Sequence, residues 1–346
     1  MFSTYLADPD IYRLCGPEAI IRHMLAFEGA LATVQGQLGI IPPTAASTIA
    51  NAVSRLTITP ESLAAGTLQN GVPTLPLLAQ VREALPESVR GQLHMGATSQ
   101  DVLDTAQVLA IRSVVDVLAD RTNDLLTSLH QLAIRYGNVP MMGRTRTQQA
   151  QPITFGQKVQ SWRNPLGRHL ERLDQVKPRV LVVQLGGAVG NRAAFGERGE
   201  AVARALATEL KLGYATPWHT ERDGLAEFTN WLALLTGTLG KLGQDVLLMG
   251  QTEVGEVVEN VTGGGKSSAM PHKNNPVLSE ALVMLARQNA QFAAIQLQSL
   301  VHGNERDATA WMLEWENLPR MMSNAGTSLR HALSITQTMG VHGCRL

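Results

Sequence analysis

The chain has 346 residues, which is enough for one large domain or two ordinary ones with a substantial core. Its 29 basic and 29 acidic residues give no net charge, so its overall charge does not favour nucleic acid or an anionic membrane surface as a partner. Two cysteines are too few for a disulfide framework, the amino terminus is acidic where a signal peptide would be basic, and no apolar run approaches the ~18 residues of a membrane span. We therefore expect a cytoplasmic protein that binds neither nucleic acid nor membranes.

Residues 1–95 are predicted to form an N-terminal helical domain. Apolar residues at helical spacing predict a helix from Pro17 to Leu38 and a shorter one from Ala45 to Leu56. The run from Asn70 to Pro73 predicts a turn. No alternating pattern in this region indicates a strand.

Residues 96–316 are predicted to form a bundle of long helices, and residues 317–346 a terminal helix with a short tail. Helical patterns extend over Val102 to about Tyr136, Ile153 to about Pro178, Ala193 to Leu212, Gly224 to about Asn260, Val277 to Val301 and Leu318 to about Met339. The Gly224–Asn260 pattern is the longest of these and is apolar almost all round, which predicts burial by neighbouring helices or partner subunits. We therefore expect an all-α, elongated helical bundle that assembles into a homo-oligomer.

The segment from Gly263 to Glu280 combines flexibility with several reactive side chains. Three consecutive glycines precede Ser267 and Ser268, and Lys273 and Asn275 follow. Glycines let a backbone approach a ligand closely, and successive loop amides form sites for anions. The hydroxyl, ammonium and amide groups supply a proton carrier, a charge and a hydrogen-bonding group. We therefore predict a functional loop, with a simple mobile turn as the alternative.

Two other segments favour the binding of carboxylates. Thr98 and Asp101 form a variant capping box at a helix start, where free N–H groups and the helix dipole attract anions. The loop from Val139 to Pro152 carries two arginines and three glutamines, whose forked donors suit carboxylates. The alternatives are a helix cap without further function and a solvated polar loop.

These three segments resemble the signature blocks of the fumarase/aspartase superfamily. Residues 267–276 are similar to its Gly-Ser-Ser-x-Met-Pro-x-Lys-x-Asn-Pro motif, with Lys266 in place of the glycine. Residues 98–101 resemble its Thr-Ser-x-Asp block, which binds substrate carboxylates. Residues 143–156 resemble its Gly-Arg-Thr-His block, including the Pro-x-Thr-Phe-Gly ending. The resemblance covers most of the chain.

The second block also indicates a branch of the superfamily. Arg146 stands where fumarases and adenylosuccinate lyases keep a catalytic histidine, and Gln149 replaces a second histidine of the lyases. The carboxymuconate branch also lacks that histidine and has the Gln-Gln-Ala run found here at 148–150, although it usually has tryptophan in place of Arg146. His94 fits both the adenylosuccinate lyase and the carboxymuconate branches, and a Trp-His-Thr-x-Arg-Asp run at 218–223 fits the latter.

The resemblance implies site residues and an assembly. It makes Ser267 the catalytic proton carrier, supported by Lys273 and Asn275. The residues implied to bind substrate are His94, Thr98, Ser99, Arg146, Gln148, Gln149, Arg222, Ser268, Met270 and Arg306. For Arg222 and Arg306, ion pairs within the protein are the alternative. The resemblance further implies a homotetramer in which the three blocks meet from three subunits, no metal or cofactor, and a carboxy-terminal helical domain that is missing or vestigial here.

The resemblance also implies a reaction. The carboxymuconate branch is expected to act as an intramolecular lyase, a cycloisomerase that closes a carboxylated cis,cis-muconate into a lactone with Ser267 as general acid/base. An adenylosuccinate-lyase-type enzyme that cleaves a carbon–nitrogen bond is the first alternative, which Arg146 and Gln149 disfavour. A helical scaffold without activity is the second, which the intact Ser267, Lys273 and Asn275 disfavour.

Overall fold

The protein is mainly helical in a computed structural model that describes residues 3–260 and 264–344. The helices are α1 (Ser3–Leu6), α2 (Pro9–Cys15), α3 (Pro17–Gln37), α4 (Pro43–Arg55), α5 (Pro60–Asn70), α6 (Thr74–Glu83), α7 (Glu87–Arg90), α8 (Ser99–Tyr136), α9 (Phe155–Val180), α10 (Gly199–Leu210), α11 (Asp223–Met249), α12 (Val277–Gln298) and α13 (Ala308–Thr338). Short antiparallel ribbons pair β1 (Pro140–Thr145) with β2 (Gln148–Thr154) and β3 (Val257–Val258) with β4 (Gly340–Val341). The expected all-α fold is confirmed. Gly263, the first glycine of the predicted functional loop, lies outside the described residues. Residues 1–2 of the predicted N-terminal domain and residues 345–346 of the predicted tail also lie outside them.

The long helices α8, α9, α11, α12 and α13 pack as an elongated bundle. Helices α8, α11 and α13 run in one direction. Their N-terminal parts meet around Arg222, and Ser128 near the end of α8 bonds to Thr336 near the end of α13 (2.8 Å). Helices α9 and α12 run in the opposite direction, as the contacts of Trp162 with Asp245 and of Gly243 with Ser279 show. We call the end where α8, α11 and α13 begin the N end, and the end where they stop the C end. Within the described ranges, no helix is both long and apolar enough to cross a membrane.

An ion cluster inside the N end joins three of these helices. The guanidinium of Arg222, at the start of α11, donates to both carboxylate oxygens of Asp104 on α8 (2.7 and 3.0 Å). It also donates to both carboxylate oxygens of Glu314 on α13, from Nε to Oε1 at 3.1 Å and from Nη2 to Oε2. All three side chains are fully buried. Burial works against the charged form of Arg222, but the two carboxylates hold its pKa above the ordinary value, while burial raises the pKa of Glu314 despite Arg222. Arg222 thus forms the ion pairs within the protein that were its alternative role, and two carboxylates occupy the donors that its predicted role as a substrate ligand would need.

Helix α3 of the N-terminal region holds the segment that leads into α8. Glu28 is buried, and its Oε1 lies 2.7 Å from Nδ1 of His94, whose backbone adopts a positive φ of 63°. On the same helix, Gln35 donates to the carbonyl of Met95 at 2.6 Å. Burial opposes the charged form of His94, but the Glu28 carboxylate holds the pKa of His94 above its ordinary value. The start of α8 is therefore fixed by charge as well as by packing.

Three predicted elements differ from the structure. The segment from Pro140 to Thr154 is a hairpin rather than a loop, and α9 begins only at Phe155. Helix α11 ends at Met249 rather than Asn260, because the chain turns at Gly250 and Gly255 (φ 60°) and Val257 then pairs with Val341. The longest helix is therefore α8, with 38 residues, rather than α11. In the predicted Ala193–Leu212 helix, Gly196 (φ 53°) separates a 3-10 turn from α10.

The last helix begins earlier than predicted. Asp307 caps α13 by accepting hydrogen bonds from the N–H groups of Thr309 (2.9 Å) and Ala310, so the helix starts at Ala308 rather than Leu318. The predicted boundary between residues 316 and 317 therefore falls inside α13. The division of the chain into domains otherwise stays a prediction.

Replacing Arg222 with Ala should lower the free energy of unfolding by about 3–5 kcal/mol, because two buried carboxylates lose their shared partner. Urea denaturation followed by circular dichroism measures this loss. The matched control is Arg179→Ala, which breaks the exposed pair of Arg179 with Glu227 and should cost far less. Equal losses in the two variants would contradict a special role for the buried cluster.

The pair of His94 with Glu28 should make stability depend on pH. Because the folded-state pKa of His94 lies above its unfolded value of about 6.5, the stabilisation is complete below that pH and is lost as pH rises through the folded-state pKa. The free energy of unfolding of the wild-type protein should exceed that of a His94→Gln variant by about 1–2 kcal/mol near pH 6, and the difference should shrink towards pH 9. A constant difference from about pH 6 to about pH 9 would show that charge on His94 contributes nothing.

Candidate active site

The predicted functional loop forms a small closed turn between α11 and α12. The N–H of Asn275 donates to the carbonyl of Gly265 at 2.7 Å, and Lys266 and Asn274 form an isolated β-bridge. Gly265 has a positive φ of 71°, and a Cβ there would lie 2.4 Å from the carbonyl oxygen of Asn275, so only glycine fits this close approach. The loop is therefore a defined structure that holds the residues between Lys266 and Asn274 together.

Ser267 is half-buried within this loop, and its hydroxyl oxygen accepts two backbone hydrogen bonds. The donors are the N–H groups of Met270 at 3.1 Å and Ala269 at 3.3 Å. Because both donors address the oxygen, they stabilise negative charge on it, while its proton stays free to transfer. The predicted partners Ser268, Met270 and Lys273 are exposed, and Asn275 is half-buried. In a single subunit the loop faces solvent.

The first turn of α8 holds a second group of predicted residues. The carboxylate of Asp101 accepts from the N–H of Thr98 at 3.0 Å, which completes the predicted capping box. The same carboxylate accepts from the N–H groups of Gly186 (2.7 Å) and Gly187 (2.9 Å) and lies 2.8 Å from Nε2 of His219. Thr98 and Ser99 stay half-buried beside it. Capping is thus a structural fact, and it leaves the two hydroxyl-bearing residues at a helix start that attracts anions.

Arg306 lies beside this turn, as the alignment of α13 with α8 requires. Its Nε donates to Oε1 of the buried Gln100 at 2.7 Å, and its Nη2 donates to the carbonyl of Ala188 at 3.1 Å. The rest of the side chain is exposed. Unlike Arg222, Arg306 has no carboxylate partner among the described residues, so its positive charge is available to an anion near Thr98 and Ser99.

Two buried residues, His219 and Gln100, hold this site together through hydrogen bonds that the sequence did not predict. His219 is buried, bonds to Asp101 through Nε2, and has no partner for Nδ1 among the described residues. Gln100 is buried and joins Arg306 to the carbonyl of His219, to which it donates at 2.9 Å. The Trp-His-Thr-x-Arg-Asp run contained a signal for His219, but only the tertiary contacts identify its partner.

The hairpin at the C end carries the third group. Arg146 and Thr147 form its turn with positive φ values of 50° and 67°, as turns that match the strand twist require. Arg146, Gln148 and Gln149 are exposed. Close to this turn, Arg144 donates to both oxygens of the buried Glu256 (2.8 and 2.9 Å) and so fixes the hairpin to the segment after α11.

The length of the bundle separates the predicted residues into two groups. Helix α8 has 38 residues and is therefore roughly 57 Å long at 1.5 Å per residue. The group at the N end comprises His94, Thr98, Ser99 and Arg306. The group at the C end comprises Arg146, Gln148, Gln149, Ser267, Ser268, Met270, Lys273 and Asn275. One subunit therefore does not bring the two groups together.

Comparisons with known proteins agree with this architecture. A family described as lyase matches residues 39–289. The 3-carboxy-cis,cis-muconate cycloisomerase of Acinetobacter baylyi is 35% identical over 99% of this chain and 77% of its own length. The N-acetyl-S-(2-succino)cysteine lyase of Dickeya dadantii is also 35% identical, over 96% of this chain and 74% of its own length.

A solved structure extends the similarity to three dimensions. The crystal structure of the 3-carboxy-cis,cis-muconate lactonizing enzyme from Pseudomonas putida superposes with a TM-score of 0.94 at 36% identity, covering 99% of this chain and 78% of that one. The helical bundle, the signature loop and the similarity over nearly the whole chain lead to one conclusion. The chain belongs to the lyase family of the fumarase/aspartase superfamily.

Proposed function

We propose that this lyase-family enzyme is a 3-carboxy-cis,cis-muconate cycloisomerase. It interconverts 3-carboxy-cis,cis-muconate and 4-carboxymuconolactone, a step of protocatechuate degradation by the β-ketoadipate route. One combination of features carries the proposal. The oxygen of Ser267 accepts hydrogen bonds from two backbone N–H groups, and the hairpin has Arg146 and Gln149 where adenylosuccinate lyases have histidines. Several relatives with that name are 35–37% identical over nearly the whole chain, which supports it.

The proposed reaction is an internal addition that needs only a proton besides the substrate. One carboxylate of the diene forms a carbon–oxygen bond to a double-bond carbon, and the displaced electron pair moves to the neighbouring carbon beside another carboxylate. Donors around that carboxylate lower the barrier by stabilising the charge that reaches its oxygens. Holding the diene folded supplies much of the remaining acceleration through proximity.

Ser267 then completes the addition as general acid. Its hydroxyl delivers a proton to the carbon that carries the electron pair, and the oxygen left behind is stabilised by the N–H groups of Ala269 and Met270. The ammonium of Lys273 and the amide of Asn275 act on the substrate carboxylates beside the same loop. Solvent then returns a proton to the serine oxygen, which closes the cycle. The reverse reaction uses that oxygen as the base that removes the proton from the lactone.

The site is proposed to form between subunits of a homotetramer. The group at the N end supplies Thr98, Ser99 and the positive charge of Arg306, while the group at the C end supplies the hairpin and the loop. Because roughly 57 Å of α8 separates these groups within one chain, they can share a substrate only across subunits. Exposed apolar side chains on the long helices support such an assembly: Leu234, Leu248, Ile295 and Leu297.

A lyase that splits a succinyl group from sulfur or nitrogen is the second candidate. It is favoured by the N-acetyl-S-(2-succino)cysteine lyase, which is as similar to this chain as the cycloisomerase of Acinetobacter baylyi. Such an elimination would use the same serine, now as the base that removes a proton beside a carboxylate. A substrate panel separates the candidates, because only the muconate reaction consumes a conjugated diene.

Mixing the protein with 3-carboxy-cis,cis-muconate should remove the ultraviolet band of the diene. Ser267→Ala should lower the turnover number by roughly 10²–10⁴-fold without changing oligomer size in gel filtration, since only the proton carrier is lost. Ser54→Ala makes the same chemical change on the exposed surface of α4 and should retain full activity. A stable band with the wild-type protein would refute the cycloisomerase proposal, and full turnover by Ser267→Ala would move the acid role to another residue.

Two inactive variants should partly restore each other if the site is shared. Ser267→Ala and Arg306→Ala damage opposite ends of the bundle, so hybrids formed by unfolding and refolding a mixture contain some sites with both residues intact. Ser267→Ala mixed with Lys273→Ala is the control, because both changes lie in one loop and no hybrid site escapes them. Recovery of turnover in the first mixture alone supports a site between subunits, and its absence there would place both residues of a site in one chain.

A further inference from the structure

The chain that follows Ser267 is bound to one buried residue that precedes the loop, Glu259. Its backbone carbonyl accepts a hydrogen bond from Nδ2 of Asn274 at 2.8 Å. Its carboxylate accepts from the N–H of Leu278 at 2.9 Å, and from the N–H and the hydroxyl of Ser279 at 2.9 and 2.6 Å. Glu259 is 5% exposed, although it precedes a loop that is largely exposed. One residue therefore connects the chain before the loop with the chain after it.

The carboxylate of Glu259 does for α12 what a capping residue does for other helices. Pro276 occupies the N-cap position and forms no side-chain cap hydrogen bond. The first N–H groups of a helix need partners from outside the helix, and a negative charge is favourable beside them. Glu259 supplies both, from a position before the loop. The start of α12 therefore depends on a residue that is distant in sequence.

The attachment extends from Glu259 to the groups proposed to react. Asn274, which Glu259 holds through its carbonyl, lies between Lys273 and Asn275 in the sequence. The N–H of Asn275 in turn holds Gly265, which precedes Ser267 by two positions. Loosening Glu259 would therefore release the ammonium, the amide and the hydroxyl together.

We infer that Glu259 is a positioning residue that fixes the Ser267 loop in its working geometry, an inference that rests on the proposed function of that loop. Glu259 is not itself a proton carrier in this scheme. Each carboxylate oxygen is already bonded to a backbone N–H, and burial keeps both from the substrate. Its contribution is to keep Ser267, Lys273 and Asn275 at fixed separations before the substrate arrives.

A Glu259→Gln variant tests the inference with two measurements on the assembled protein. The amide keeps the size of the side chain and one acceptor oxygen but loses the charge and at least one of the three hydrogen bonds to α12. The turnover number on 3-carboxy-cis,cis-muconate should fall roughly 10–100-fold, with a smaller change in KM, because misplacement of the reacting groups affects the transition state most. Hydrogen exchange read by mass spectrometry should accelerate about 10-fold or more in peptides covering residues 264–280, and remain unchanged in α8 and α13.

Two further variants make the result specific. Glu253→Gln removes the same charge from an exposed side chain in the same connecting segment and should change neither measurement. Asn274→Ala releases the loop from the carbonyl of Glu259 but leaves the cap of α12, so exchange should accelerate within the loop and not in the first turn of α12. Unchanged exchange and turnover in Glu259→Gln would overturn the inference, as would an acceleration spread evenly over the bundle.

The exchange measurement also separates this inference from the proposed function. It needs no substrate, so it reports on the loop even if the wild-type protein leaves the muconate diene intact. In that case the cycloisomerase proposal fails on its own, and a selective acceleration in residues 264–280 still shows that Glu259 holds the loop. Lost turnover with unchanged exchange would instead show that Glu259 acts by some route other than loop order.

Discussion

The alignment of the long helices depends on one guanidinium held between two buried carboxylates. Arg222 contributes from the start of α11, Asp104 from α8 and Glu314 from α13, so their contacts fix how these helices are placed along one another. That register places Arg306, just before α13, beside the first turn of α8. Taking three ionisable groups out of water is unfavourable unless nearly every donor and acceptor is paired. The hydrogen bonds from Trp311, Gln296 and Ser299 to the same carboxylates meet that requirement.

The same helices that align the residues at the N end keep them far from the loop at the C end. A rigid helix cannot bend its two ends together, so a single chain keeps the two groups of predicted site residues apart. Each group is well ordered by its own contacts, through Asp101 at one end and Glu259 at the other. In the proposed assembly, the complete site forms from parts that need little rearrangement, which limits the entropy lost when substrate binds.

The sequence predicts features that depend on neighbours along the chain. Helical spacing identified α3 within one residue and α8 within a few, and the Thr98–Asp101 spacing identified the capping box. The hairpin was missed because β2 is exposed and rich in glutamine, without the alternation of apolar residues that indicates a strand. Ion pairs were an alternative for Arg222, but the sequence did not identify its partners, because they lie 118 and 92 positions away and no local pattern can report them. The same limit applies to the contacts of His219 and Glu259.

The spread of the Arg222 cluster along the chain has a consequence for synthesis. Asp104 leaves the ribosome long before Arg222, and Glu314 follows later still, because the three residues lie far apart in the sequence. Until then, the apolar faces of α8 and α11 are not covered by α13, and Asp104 and Arg222 lack the second carboxylate, Glu314. Contacts between such distant segments form slowly, and exposed apolar surface favours aggregation in the meantime. The nascent chain should therefore be most prone to aggregation after α11 has been made and before α13 follows.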